Sequence, residues 1–78
     1  MFEEWMINKK GYSWKSAHDV ISRQKRVRNI LSIQTFNTRT IDALEKNIAF
    51  KKLSMSVKSQ LRKCVRLFLE FEYRNKKA

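Results

Sequence analysis

The sequence predicts an all-α fold, a compact bundle of four helices in one domain. Three observations predict it. Proline is absent and glycine occurs once in 78 residues, so the tight turns of a strand-rich fold have few residues to form them. Apolar residues recur at spacings of three and four over long stretches, the period of a helix with one buried face. Apolar residues make up 42 % of the chain, enough for one small core and too many for a disordered basic tail.

The elements follow in order. Phe2, Trp5 and Met6 share one face of a first helix over residues 2–8, with Glu3 and Glu4 at its N-terminus, where the helix dipole favours negative charge. Asn8–Tyr12 is a break that holds the only glycine, Gly11, placed where a helix end takes a positive φ. A second helix over residues 14–31 starts after Ser13 as N-cap. Ser16 and Asp19 also have capping-box spacing, but a start at Ser13 brings Trp14 and Ala17 inside the helix. Ala17, Ile21, Gln24, Val27 and Leu31 form its apolar stripe, with Val20 beside them and Gln24 as an interruption. The opposite side carries Lys15, Ser22, Arg26 and Asn29, flanked by Arg23 and Lys25. Arg28 falls near the apolar side and must reach round it on its aliphatic stem.

Ser32–Thr38 is a connection from which Ile33 and Phe36 cap the core. A third helix over residues 40–50 begins at Thr38 or Thr40 with Asp42 in its first turn. Ile41, Leu44 and Ile48 form its inward stripe and Phe50 closes it. After a short link, the fourth and longest helix runs over residues 55–75 from near Ser54. Val57, Leu61, Cys64, Phe68 and Phe71 lie on one face, with Val65 beside them and Leu67 and Leu69 widening the apolar surface. Arg74, Lys76 and Lys77 suit its C-terminus, and Glu70–Arg74 and Glu72–Lys76 are favourable i,i+4 pairs.

Composition excludes several function classes. One cysteine cannot form an internal disulfide or, alone, a thiolate metal site. No run approaches the roughly 18 apolar residues of a membrane span, and Met1-Phe2-Glu3-Glu4 does not begin a secretory leader. A cytoplasmic setting, in a bacterial, phage or archaeal nucleoid, is expected, with no membrane partner. No glycine-rich phosphate loop, carboxylate pair or metal-ligand cluster occurs, so no cofactor, metal or catalytic residue is expected. His18, near a helix start, is expected at the surface or against a phosphate, and Cys64 as an inert core thiol.

Eighteen lysines and arginines against seven acids leave a net charge of +11. Such self-repulsion opposes folding and points to a polyanionic partner. The charge is uneven. Lys9 to Arg28 holds seven basic residues against Asp19, and Lys51 to Arg66 holds six with no acid. On the fourth helix Lys58, Arg62 and Arg66 stand at i, i+4 and i+8, flanked by Ser59 and Lys63, with no interleaved glutamate to relieve their repulsion. That ridge suits phosphates, each of which releases counterions when neutralised. Trp5, Trp14, Phe36, Phe50, Phe68 and Phe71 sit on or near apolar stripes, and Tyr12 and Tyr73 are expected as half-buried edge residues, so the basic faces lack stacking platforms, which favours duplex DNA over single strands.

One family shares this layout. The aromatic start Phe2, Trp5, Met6, the break Lys9-Lys10-Gly11, the run Tyr12-Ser13-Trp14-Lys15-Ser16-Ala17 and a long basic helix come first. Thr40-Ile41-Asp42-Ala43-Leu44 and Leu53-Ser54-Met55-Ser56-Val57-Lys58 follow, leading to Leu61-Arg62 and Phe68-Leu69-Glu70-Phe71. From Phe2 to about Arg74 the chain resembles the N-terminal core-binding domain of tyrosine recombinases of the phage-integrase type. The resemblance lies in helix starts and spacings. One departure is Ser16, where that family often has threonine. The resemblance implies a SAM-like orthogonal four-helix fold that clamps one face of duplex DNA through its second and fourth helices. A separate C-terminal catalytic domain would grip the other face, so this chain alone is not expected to cut or join DNA.

The DNA-contacting residues expected first are Lys58, Arg62 and Arg66, with Lys63 and Ser59 beside them. Arg23, Lys25 and Arg26 follow, with Ser22 as a closer contact and Lys9, Lys10 and Lys15 as outer contacts. A helical protein-interaction module and an RNA-binding domain remain alternative readings, the former favoured by an exposed apolar patch.

Overall fold

The structure is a computed structural model that describes the backbone of residues 2–77 and the side chains as far as Arg74. Among the described residues the chain is all-helical: α1 (Phe2–Lys9), α2 (Trp14–Leu31), α3 (Thr40–Lys46), α4 (Ile48–Lys51) and α5 (Met55–Lys77). The two long helices, α2 and α5, make the broadest contact; α1 packs on both, and α3 touches both from elsewhere in the bundle.

The expected helix ends hold where a side chain or a glycine makes them. The Ser13 hydroxyl oxygen accepts from the Ser16 amide at 3.1 Å and caps α2. Gly11 takes φ +72° as the chain leaves α1, and the amides of Lys10 and Tyr12 both donate to the Met6 carbonyl. The Ser54 hydroxyl accepts from the Val57 amide at the start of α5. At the end of α2 the left-handed position is filled by Ser32, φ +54°, so that Ile33 turns back toward the core and its amide reaches the Arg28 carbonyl at 3.1 Å.

The expected third helix is two. Asn47 takes an extended conformation, and its side-chain oxygen accepts from the Phe50 amide at 3.0 Å, capping a new helix. This breaks the register that would carry the stripe from Leu44 to Ile48. Phe50 therefore enters the core, 1 % exposed, and Ile48 is 71 % exposed rather than inward. Trp14 also departs from expectation. It lies inside α2, but off the buried stripe and 61 % exposed, with its indole against the edge of His18.

The core joins Met6 of α1, Ala17, Val20 and Val27 of α2, Leu44 and Phe50, and Leu61, Cys64 and Val65 of α5. Aromatic rings packed against this core dock α1 on the C-terminal half of α5. There Phe2 meets Phe68 and Phe71 edge-on at 5.4 and 5.3 Å, and Phe36 meets Phe68 at 5.5 Å. Arg28 does reach round: its guanidinium lies over the Phe36 ring at 5.6 Å. Glu70 and Arg74 pair at 3.4 Å, while the expected partner of Glu72, Lys76, lies outside the described side chains.

Gln24, the interruption in the α2 stripe, is buried and donates its side-chain amide to the Cys64 carbonyl of α5 at 3.1 Å. Gln24→Ala removes both the bond and the packed stem, and should cost about 2 kcal/mol in urea unfolding. Gln24→Met, which keeps the volume, should cost about 1 kcal/mol. Cys64 is inert in this setting. Its thiol donates to the Leu61 carbonyl, and burial pushes its pKa up to about 12. Because the unfolded thiol ionises near 9.0, its contribution to stability is full below that pH and is lost as pH rises from there toward 12. Cys64→Ala should flatten that part of a stability–pH curve.

Candidate nucleic-acid interface

The packing of α2 on α5 decides which cations face outward. On α5, burial of Leu61, Cys64 and Val65 turns Ser59, Lys63 and Arg66 to the surface, all three exposed. Lys58 and Arg62, on the side toward α3 and α4, are only half exposed. The free row of this helix is therefore Ser59-Lys63-Arg66, rotated from the expected Lys58-Arg62-Arg66. On α2, Lys15, Ser22, Lys25 and Arg26 are exposed as expected, and Arg23 is half-buried at the α5 side. Lys9 is exposed at the end of α1.

Between α2, α5 and the Gly11 turn lies an open groove of about 730 Å³. Lys10, Arg23 and Lys63 bring three basic side chains to it; Ser13, Ser16 and Gln60 add polar groups, and Asp19 is the acid in its wall. Two residues from separate basic stretches, Arg23 and Lys63, thus share one concave surface. Lys10 is already engaged: its ammonium meets Glu70 at 3.0 Å and lies 5.7 Å from the Trp5 ring.

The corner of α3, α4 and α5 holds the other two cations. Arg62 donates its Nε–H to the Glu45 carboxylate, and its guanidinium lies over the Phe50 ring at 5.5 Å. The Lys58 ammonium sits 6.0 Å from the same ring. The Arg62 hydrogen bond holds the Glu45 carboxyl below its ordinary value, reinforced by the charges of Arg62, Lys58 and Arg66 and opposed by partial desolvation. The same bond raises the Arg62 pKa. The relief that the Lys58–Arg66 stretch of α5 lacks in its own sequence comes from another helix.

Glu45, Asp19 and Gln60 were not among the expected site residues. Each belongs to the surface only through tertiary packing, and nothing in its local sequence marks it. Trp14 corrects the expectation that the basic faces carry no aromatic ring: it is exposed one residue from Lys15. His18 is exposed and its Nε2 lies 3.3 Å from Glu3. Among the described residues no group of histidine, cysteine and acidic side chains could hold a metal ion, and no helix is long and apolar enough to cross a membrane. No protein-family model matches the chain, and neither curated proteins nor solved structures yield a similar one.

The two sides of α5 should respond differently to charge reversal. Arg66→Glu changes an exposed position and should leave the urea midpoint nearly unchanged. Arg62→Glu sets a second carboxylate against Glu45 and uncovers Phe50, and should lower the midpoint clearly. The Glu45–Arg62 pair also has a pH signature. A depressed carboxyl pKa stabilises the fold above the ordinary glutamate value of 4.5 and loses that contribution as pH falls below it. The stability gap between the wild type and Glu45→Gln should therefore close in acid.

Proposed function

We propose that this chain is a duplex-DNA-binding domain that clamps DNA with the basic faces of α2 and α5, as the core-binding domain of a tyrosine recombinase does in DNA integration and recombination. The observation that carries the reading is the groove where Arg23 and Lys63 meet, with Ser59 and Arg66 of α5 and the outer face of α2 also exposed. Phosphate contacts supply the affinity, and Ser22 and Ser59 are placed for closer contacts to the sugar–phosphate backbone or base edges. In this reading the helices keep a SAM-like arrangement, and catalysis belongs to a separate C-terminal domain. Trp14 and Tyr73, the latter expected half-buried, are exposed rings on different helices, whereas single-strand binding uses successive stacking platforms, so duplex remains the better fit.

A second reading, a helical protein-interaction module, is favoured by Ile48 and Met55, both largely exposed near the α4–α5 link. Salt dependence separates the two. If the domain neutralises about six phosphates, the logarithm of its affinity for a short duplex should fall with the logarithm of salt at a slope of about −5, measured by fluorescence anisotropy. The Lys63→Glu, Arg66→Glu double variant should abolish most of that binding while keeping the wild-type circular dichroism spectrum. Absent or salt-independent binding would overturn the DNA reading, and tighter binding to structured RNA than to duplex would reassign the partner.

A further inference from the structure

The α3–α5 corner differs from the rest of the basic surface because an anion already sits on it. Glu45 places a carboxylate where Arg62 can reach it, and the Lys58 ammonium lies by the same Phe50 ring as that guanidinium. One carboxylate against two cations leaves the corner electropositive. Among the described residues the Glu45 oxygen is the acceptor that Arg62 engages, through Nε alone. The two Nη nitrogens remain to bind a second acceptor, and a guanidinium offers them as a fork suited to phosphate. Both partners are accessible, with side chains 27 % and 44 % exposed, so the pair can exchange without opening the core. The buried Phe50 ring lies under the guanidinium and keeps it at the corner whichever anion it holds.

We propose that this corner is a phosphate seat built from Arg62 and Lys58, occupied in the free domain by the Glu45 carboxylate and claimed on binding by a backbone phosphate of the nucleic acid. Glu45 is then an internal competitor. It holds Arg62 in place, shields the like charges of α5 while no ligand is present, and sets a threshold that a polyanion must exceed. The inference rests on the nucleic-acid reading and adds to it a particular phosphate position and the residue that guards it.

The test compares Glu45→Gln with a charge-matched control, Asp42→Asn, an exposed acid on the same helix. Each adds one unit of net positive charge, but only the first releases Arg62. With a duplex of about 20 base pairs, Glu45→Gln should raise the affinity several-fold more than Asp42→Asn does at the same salt, because Arg62 then meets its phosphate with no carboxylate to displace, whereas Arg62→Gln alone should flatten the salt slope by about 0.9, the contribution of one phosphate. Adding Arg62→Gln to Glu45→Gln should remove the gain. Equal affinity gains for Glu45→Gln and Asp42→Asn, with the wild type still binding duplex, would overturn the seat and leave the DNA reading intact. A second arm needs no nucleic acid. Inorganic pyrophosphate titrated into isotopically labelled protein should shift the Arg62 Nε–H resonance more strongly in Glu45→Gln than in the wild type. If the wild type binds no duplex, the DNA reading falls, and this arm decides the seat alone: no Arg62 shift in either protein overturns it.

Discussion

Gln24 is a polar side chain in a core that must satisfy it. Its amide finds the Cys64 carbonyl at 3.1 Å, across the contact between the two long helices. A buried amide without a partner would carry a penalty of about 1–3 kcal/mol, so this bond favours one rotation and one register of α2 against α5. Apolar packing alone is less selective, since neighbouring leucines and valines can exchange places at small cost. Much else follows from that rotation. It puts Cys64 and Val20 at the floor of the groove, brings Arg23 to the same side as Lys63, and turns Ser59 and Arg66 outward.

The second constraint is charge. A short chain at +11 has few acids to spend on relief, and their placement is economical. Glu70 serves Lys10 across the bundle and Arg74 on its own helix, while Glu45 serves the cations of α5 from α3. Aromatic rings also take cations, with an acid beside them or without: Phe36 lies beneath Arg28, and Phe50 beneath Lys58 and Arg62. These long side chains cover apolar rings with their stems, so part of the positive charge is a structural component of a small core. Exposed ion pairs contribute little individually; their effect here is to decide which cations remain free.

Much of the helical plan was legible in the sequence because it is governed by local chemistry. Ser13 caps α2 through its own hydroxyl, Gly11 takes the conformation only glycine adopts without strain, and the long apolar stripes of α2 and α5 choose their buried faces. What escaped depends on choices that local patterns leave open. Asn47 is a good N-cap and also tolerable inside a short helix, and only the pull of Phe50 into the core decides in favour of the cap. Ile48 fits the helical stripe but loses its place once that turn is made. Trp14 sits beside the stripe, and as the first residue of α2 it stays exposed. The basic ridge of α5 was legible as charge, but its orientation was not. A displacement of one residue along the chain is about 100° around a helix, which separates a free Lys63 from an Arg62 pressed onto Phe50.

That separation bears on how such a domain can fold and still bind. A cation that covers a ring and holds a carboxylate stabilises the monomer, and each such contact must be loosened or shared before a phosphate can use it. A cation left in solvent opposes folding by repulsion and is ready for a ligand. The structure divides the work between them: Lys10, Arg28, Lys58 and Arg62 lie against acids or rings, whereas Lys15, Lys25, Arg26, Lys63 and Arg66 are exposed. Initial attraction to a polyanion would come from the second group through its long-range field. Contacts by the first group would come later, through exchange of one anion for another at positions the core already holds. The order follows from burial and pairing, and under the proposed reading Glu45, an acid in a strongly basic domain, would belong to the binding surface.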